Sequence, residues 1–553
     1  MEDNPMAKTP KSISLRSLRA CSIDPKWLFE RLRSDLDEGD FRNRYLLDSV
    51  LSKYAEPSPA SKERRHRRAL AKLLWTDREN GRTVKRLETN PEIVPGVSAA
   101  SIKLLVAREV SRILGPFSFN AFASASFSSG ASTSRRRTDA GVAEKFDGIG
   151  DVTADAYPYF VAASNLDPIW RRNLTVAMLE SDRDTAYNVV PGNVCFTVPK
   201  KDDIDRAACK EPDFNMYLQK GIGDFIRSRL RRDGINLNDQ SVNQRLARKG
   251  SIDGSLATLD LSAASDSITW KLVMELLPFD WFCHLDAIRS KQTYINGKWR
   301  TMNLFSTMGN GFTFELESLL FYAMCIVAVR LSGCSDTTIG VYGDDLIVPT
   351  EASTGLISIL SYFGFRTNVD KSFVEGPFRE SCGGHYYNGR DVTPFYVREP
   401  INDVTRVIWL LNKIREWSSE GSGFCTLLEG LWYDIYQKFP LLKSVTGFAR
   451  IDSILSVAHP TCRTGRLKNS TRTKLNPSNG ALCAQLRSNP SALIFNYKCG
   501  KVRASVRDGA SYSRKSFLTG KWFITKPSSV EESYCSTLQY GDIPFFSCEL
   551  SSQ

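Results

Sequence analysis

Apolar positions along this chain switch between two spacings, most sharply between Gly254 and Pro349. Ser255–Leu261 (SLATLDL) is a short apolar run and predicts a strand. Ala263–Leu277 has helical spacing and predicts a helix that Pro278 stops. Phe312–Leu331 predicts a second helix; its core, Leu319–Val329, is the longest uncharged apolar run. Thr337–Tyr342 and Leu346–Pro349 are β-like runs around Gly343-Asp344-Asp345, which predicts a hairpin. Further on, Val404, Val407, Ile408, Leu411 and Ile414 recur at helical spacing, and Phe424 to about Tyr436 predicts another helix.

The first hundred residues mix charges densely. Lys62, Arg64, Arg65, Arg67 and Arg68 surround His66 and lead into Leu70, Leu73 and Leu74, a basic helix whose charged face meets either solvent or nucleic acid. Residues 121–137 (AFASASFSSGASTSRRR) have no period and read as a loop, with a soft boundary near residue 150. No internal repeat is visible.

Composition narrows the class. The chain has 553 residues, 42% of them hydrophobic, which is globular and too long for one compact core. Lys and Arg number 73 against 61 acids, an excess of 73 − 61 = 12 that points to a polyanionic partner. No run reaches the ~18 apolar residues a membrane helix needs. The start, MEDNPMAKTPKS, has no apolar signal region, so no secretory leader is expected. The 13 Cys form no C-x-x-C pair and the four His lie at no zinc spacing, so reduced thiols in a cytosol are expected.

The candidate chemistry is carboxylate chemistry. Two adjacent acids at a rigid hairpin tip, Asp344 and Asp345, repel by roughly 4 kcal/mol at ~4 Å and a surface-like dielectric. A hard divalent cation removes that cost, although Asp is also common in plain turns. Asp260 sits between Leu259 and Leu261 near a strand end, where an acid is disfavoured without a role. Asp266, six residues on, is explained by a helix start alone. If the two strands pair, Asp260 comes beside Asp344, and three carboxylates around two Mg²⁺ ions ~3.5–4 Å apart suit in-line nucleotidyl transfer.

These motifs resemble a known family. Tyr342-Gly343-Asp344-Asp345 with an upstream Asp260-x5-Asp266 resembles the palm of viral RNA-dependent RNA polymerases. Residues 196–221 (FTVPKKDDIDRAACKEPDFNMYLQKG), 260–269 (DLSAASDSIT), 305–321 (FSTMGNGFTFELESLLF) and 378–387 (FRESCGGHYY) resemble the replicase β subunit of the single-stranded RNA bacteriophages, the leviviruses. The likeness is dense from about residue 190 to 400.

The resemblance implies an α+β right-hand fold: residues 1–150 contributing to fingers and outer surface, 151–250 fingers, 251–400 a palm with an antiparallel sheet, and 401–553 thumb and RNA-binding region. It implies Asp260, Asp344 and Asp345 as ligands of two Mg²⁺ ions, with Mn²⁺ as a substitute. Asp266 and Thr313 are implied contacts to the incoming ribose, and Gly309 and Asn310 belong to a loop approaching nucleotide and template. Met308 and Glu317 depart from the common viral pattern and carry no assigned role. Lys200, Lys201, Arg206 and Lys210 resemble the triphosphate-neutralising fingers motif; cations opposite an acid-lined site are also what a triphosphate requires. Glu211 is read as the ion-pair partner that aims them. Lys371 is the candidate general acid for pyrophosphate.

The implied partners are single-stranded RNA template and RNA product, ribonucleoside triphosphates, host translation elongation factors Tu and Ts and, in some members, the largest small-subunit ribosomal protein. No membrane is implied, and the location is the cytoplasm of an infected bacterial host. Reverse transcriptases share the Tyr-x-Asp-Asp turn but place an aromatic five residues after the first Asp. Here that position is Ser265, which leaves room for a ribose 2′-hydroxyl beside Asp266. A non-catalytic RNA-binding repressor is the rival from another class; it has no need of acids at two strand ends.

The net charge is local. Residues 451–526 hold 14 Lys and Arg against two Asp, 14 − 2 = 12, the excess of the whole chain. Aromatics such as Tyr497, Tyr512 and Trp522 interleave them. Arg463, Arg466, Lys468, Arg472, Lys474, Lys498, Lys501, Arg503 and Arg507 are therefore candidate RNA contacts, against the alternative of a basic stretch with no specific ligand.

Overall fold

A computed structural model describes residues 22–54, 58–200, 203–402, 404–419 and 427–438. Lys201 and the basic stretch 451–526 lie outside the described residues.

The chain divides into two compact units, one spanning Ser58–Thr393 and the other combining the segments on either side of it. In the larger unit the elements that build and support the site are, in chain order, α1 (Pro59–Arg86), α2 (Ala99–Leu114), β1 (Gly192–Pro199), β2 (Asp205–Lys210), α3 (Asp213–Arg232), α4 (Ser241–Asp253), β3 (Leu256–Ser262), β4 (Gln292–Ile295), β5 (Lys298–Thr301), α5 (Thr313–Ser332), β6 (Gly340–Tyr342), β7 (Asp345–Pro349), β8 (Arg366–Thr367), β9 (Phe378–Ser381), β10 (Gly384–Tyr387) and β11 (Arg390–Asp391).

Three sheets matter for the site. The first has the order β6-β7-β3-β8 and every pairing in it is antiparallel. The second, β2-β1-β4-β5, is antiparallel except for the β1–β4 pair. The third is the antiparallel meander β9-β10-β11. The fold is thus mixed α+β.

Burial explains the central strand. In β3, Leu256, Ala257, Thr258, Leu259 and Leu261 are all buried, and Asp260 is the one acid among them. Such a strand has no solvent face and reads as a continuous apolar run. α5 is apolar all round and correspondingly buried along most of its length. It shares one core with α2, α3 and β3, including Val106, Val110, Ile222, Leu259, Leu316 and Leu320. Gly333, at φ +66°, ends α5 in the left-handed conformation.

The helix expected over Ala263–Leu277 is two elements. Ala263 takes φ +57°, which no helix continues through. A 3₁₀ turn follows at Ser265–Ser267, and the helix proper is Trp270–Leu276, capped by the Thr269 hydroxyl accepting from the Leu272 N–H. Asp266 therefore sits in a tight turn and not at a helix start. The expected helix over Phe424–Tyr436 is observed as Glu429–Lys438, with residues 420–426 outside the described residues.

In the other unit, helices Pro25–Asp35 and Phe41–Ser49 share a core with Val404–Ser419 and Glu429–Lys438. Leu28, Leu32, Leu46, Leu411, Ile414, Leu431 and Ile435 are buried there. Asp24 and Asp40 cap the first two helices by accepting from backbone N–H groups.

Candidate active site

The β6–β7 hairpin has a two-residue loop, Gly343-Asp344, because Tyr342 pairs with Asp345. Gly343 takes φ +60°, as the first loop position of a II′ turn requires. No other residue fits: a Cβ here would lie 2.7 Å from the Phe314 ring. The Gly343 N–H also donates to the Ser318 hydroxyl of α5 at 3.1 Å, which fixes the tip against a buried helix.

Across the sheet, Asp345 is the register partner of Asp260. Directly opposed residues point to the same face with Cβ atoms ~4.5–5.5 Å apart, and like charges there are destabilising. The electrostatics record the crowding. Burial and then Asp344 push the Asp345 carboxyl up to about 7, with Asp260 and Glu380 adding to the shift. Burial raises Asp260 as well; Lys371 and a hydrogen bond from Asn368 oppose the rise, and Asp344 and Glu380 add to it. The Asn368 amide donates to Asp260 Oδ2 at 2.7 Å and its backbone N–H to the Asp260 carbonyl at 2.8 Å. Asp260 is thereby held in one orientation.

Lys371 stands beside this cluster. Burial works against its charge, but Glu380 and Asp260 outweigh it and hold its pKa above the usual lysine value. Its Nζ lies 3.1 Å from Glu380 Oε1.

A second group of charges faces Asp266. Burial pushes this carboxyl up to about 6, opposed by Lys72, Arg206 and Lys200 in that order. Arg206 and Lys210 are four apart on β2 and so share one face of the strand. Asp205 points the other way, into a buried ion pair with Arg65 of α1 at 3.1 Å. α1 also reaches Asp266 directly, since the Asn80 amide donates to its carbonyl at 2.8 Å.

Ser265 donates its hydroxyl to Glu317 of α5. Glu317 is buried and its carboxyl is pushed up to about 8 by burial and then by Asp344. At neutral pH it is therefore largely uncharged.

The loop before α5 is packed against backbone. Gly309 takes φ +122°, and a Cβ there would stand 2.1 Å from the Cys209 carbonyl oxygen. The Cys209 N–H donates to the Met308 carbonyl at 2.7 Å. Asn310 is buried; its Oδ1 accepts from the Phe312 N–H at 2.9 Å, and its Nδ2 has no partner among the described residues. Thr313 is buried with its hydroxyl bonded to Ser306 Oγ at 2.7 Å and facing the Thr307 carbonyl at 3.2 Å.

A family model described as RNA replicase, beta-chain, matches residues 11–440. The chain belongs to the RNA replicase β-chain family. Among its relatives, the RNA-directed RNA polymerase β chain of Enterobacteria phage fr is 44% identical over 389 residues, 69% of this chain and 70% of that one. The corresponding chain of Escherichia phage MS2 is 40% identical over 400 residues, 72% of each chain. Among solved structures, the RNA-dependent RNA polymerase of a human picorbirnavirus aligns at TM-score 0.32 with 15% identity, over 45% of this chain and 55% of that one.

In this replicase chain the structure brings Asp260, Asp344, Asp345 and Lys371 together, and separately Asp266, Arg206 and Lys200. Lys210 is on the same strand face as Arg206, with its ammonium 5.6 Å from the Phe196 ring centroid. Glu211, expected to aim the cations, does not. It is fully buried and accepts from Asn193 at 2.6 Å, Ser290 at 2.7 Å and Gln219 at 3.0 Å, so neutral donors satisfy it.

Four residues at the site had no role assigned from sequence: Glu317, Glu380, Asn368 and Lys72. Glu317 carried a usable signal, an acid inside a helix with no polar face. The other three sit on short strands, turns or an exposed helix face where their residue types are ordinary. Among the described residues no three His, Cys, Asp or Glu side chains form a metal cage by themselves. No described helix is long and apolar enough to cross a membrane.

Proposed function

We propose that this RNA-directed RNA polymerase transfers ribonucleoside monophosphates to the 3′-hydroxyl of a growing RNA with Asp260, Asp344 and Asp345 as its cation ligands. The enzyme class is that of a nucleotidyltransferase. The observation that carries the reading is the register pairing of Asp345 with Asp260 at the base of the hairpin that presents Asp344.

The donor set suits a hard divalent cation. Mg²⁺ takes one or two carboxylates and completes its shell with substrate phosphates and water. Carboxyl groups raised by mutual repulsion gain most from such a charge. Two Mg²⁺ ions, with Mn²⁺ as a substitute, would supply charge stabilisation for the attacking and leaving oxygens.

The chain's own residues divide the remaining work. Lys200, Arg206 and Lys210 hold the triphosphate from the side opposite the carboxylates, and Lys72 joins them. Asp266 accepts from the 2′-hydroxyl, and the small Ser265 leaves room for it. Thr313 and Asn310 shape the loop that carries Gly309 toward nucleotide and template. The 3′-hydroxyl gives its proton to water, its oxygen bonds to the α-phosphorus as the bond from that phosphorus to the pyrophosphate oxygen breaks, and Lys371 gives the leaving oxygen its proton.

In this reading the β6-β7-β3-β8 sheet is the palm of a right-hand polymerase, β1 and β2 belong to the fingers, and the helices after residue 400 to the thumb. Single-stranded RNA is template and product. Host elongation factors Tu and Ts and a host ribosomal protein are the proposed subunits, and the infected bacterial cytoplasm is the place of action. Template extension by wild type and Asp344→Ala, with and without host extract, tests the reading.

A further inference from the structure

Four carboxylates, not three, crowd the catalytic face. Glu380 stands on β9, in the hairpin whose tip residue Cys382 meets the Asp345 carboxyl. A glutamate in that position calls for a compensating contact, and the structure has one. Glu380 Oε1 lies 3.1 Å from Lys371 Nζ.

The contact is built on a rigid support. β9 and β10 are joined by Cys382-Gly383, since Ser381 pairs with Gly384, and both loop residues have positive φ, +49° and +71°. This is the I′ geometry that matches strand twist. The Cys382 backbone N–H donates to the Asp345 carboxyl, so the hairpin tip touches a cation ligand. At the hairpin's base, the fully buried Arg379 donates to the Leu256 carbonyl at the start of β3 at 2.7 Å, and to the Val374 carbonyl at 3.0 Å. The hairpin is thus tied to both ends of the catalytic sheet. Within it, Glu380 is the register partner of His385, whose Nε2 lies 3.6 Å from the same Oε1 and whose ring is buried. Lys371 by contrast has a side chain 43% exposed. A half-exposed lysine ordinarily wanders among rotamers, so its carboxylate anchor decides where the ammonium points.

We propose that Glu380, backed by His385, is a positioning residue that holds the Lys371 ammonium where the pyrophosphate oxygen leaves. The inference rests on the reading of Lys371 as the acid. Glu380 touches no reacting atom. It keeps the proton donor aimed while the 3′-hydroxyl loses its proton to water, its oxygen bonds to the α-phosphorus, the bond from that phosphorus to the pyrophosphate oxygen breaks, and the leaving oxygen takes the lysine proton, which water then restores.

The test uses leaving-group basicity. Replicase purified with the host subunits that accompany it extends an RNA template under single-turnover conditions. Three nucleotide substrates are compared, with oxygen, difluoromethylene or methylene bridging the β- and γ-phosphates; methylene gives the most basic leaving group and difluoromethylene one less basic than methylene. An enzyme with an aimed acid tolerates the basic leaving group. Lys371→Leu should widen the difluoromethylene-to-methylene rate ratio by on the order of tenfold or more. Glu380→Gln should widen it in the same direction, with nucleotide Kd unchanged. Glu380→Asp, which keeps the charge beside His385 but shortens the reach, carries the same test if the amide variant does not fold. A wild-type ratio in the Glu380 variants together with a widened one in Lys371→Leu overturns the positioning role. A wild-type ratio in Lys371→Leu itself overturns the reading of Lys371 as the acid.

Discussion

Asp345 stands directly across from Asp260 in adjacent antiparallel strands, and both carboxyl groups are raised above the ordinary carboxylate range. The pairing is a liability for the fold and, on the proposed reading, an asset for binding a cation. A divalent charge among these carboxylates would relieve their repulsion.

Asp345→Asn should abolish extension while making the cation-free protein more stable. The sign follows from the shift. The carboxyl titrates near 3.8 when unfolded and at about 7 when folded, so the unfolded chain sheds its proton first as pH rises. Stability is lost as pH climbs between those two values and stays low above them. Removing the charge should recover ~1–2 kcal/mol at pH 8, a figure discounted for the group's partial exposure. Thermal melts in chelator would show a higher Tm for the variant, with the gap closing as Mg²⁺ is added.

Cation binding should release protons. Asp345, with its carboxyl pushed up to about 7, holds a proton at mildly acidic pH that a divalent ion would displace. The apparent Mg²⁺ affinity should therefore rise from about pH 6 to about pH 8. Calorimetric titration in two buffers of different ionisation enthalpy would read the released protons directly.

Glu317→Gln should retain most stability and extension, whereas Glu317→Lys should lose both. With its carboxyl pushed up to about 8, Glu317 is already largely neutral at pH 7, and an amide can still accept from Ser265. Ser265→Phe should fill the space beside Asp266 and depress ribonucleotide use relative to deoxyribonucleotide use. Steady-state kcat/KM for the two sugar types distinguishes this from a general loss.

Gly309→Ala should be more damaging than an ordinary loop substitution. Its φ of +122° is closed to L side chains, and its Cβ would overlap the Cys209 carbonyl at 2.1 Å. Backbone strain of ~1–3 kcal/mol and a displaced loop are expected, read as a lower Tm and a raised nucleotide KM.

Parts of this site were legible in the sequence. The hairpin was, because Gly343 and two acids between stiff apolar runs leave few alternatives. Asp260 was, because an acid in a strand with no polar face asks for a reason. The tight turn at Asp266 was not: Ala263 has no sequence mark of its positive φ. Glu380 and Lys371 are nine residues apart on short elements, where no periodicity forms. Lys72 faces Asp266 from a helix almost two hundred residues earlier, and the shared core of residues 22–54 with 394–438 spans a still longer separation. Contacts of that range leave no local pattern. The Glu211 ion pair failed for a different reason: sequence proximity to Arg206 and Lys210 hid the fact that burial points its side chain inward.

Neutralising several of Arg463, Arg466, Lys468, Arg472, Lys474, Lys498, Lys501, Arg503 and Arg507 should flatten the salt dependence of RNA binding and leave cation binding unchanged. The slope of log K against log salt falls by about 0.7 for each single-strand phosphate that no longer has a cation against it. An unaltered slope assigns the RNA grip elsewhere.

The most direct measurement is extension of a single-stranded RNA template with four ribonucleoside triphosphates and Mg²⁺, by wild type and Asp344→Ala, each supplied with host extract and each checked for RNA binding. Both proteins should bind RNA, and only the wild type should extend it. An Asp344→Ala protein that extends RNA as well as the wild type would contradict the assignment of these aspartates to catalysis.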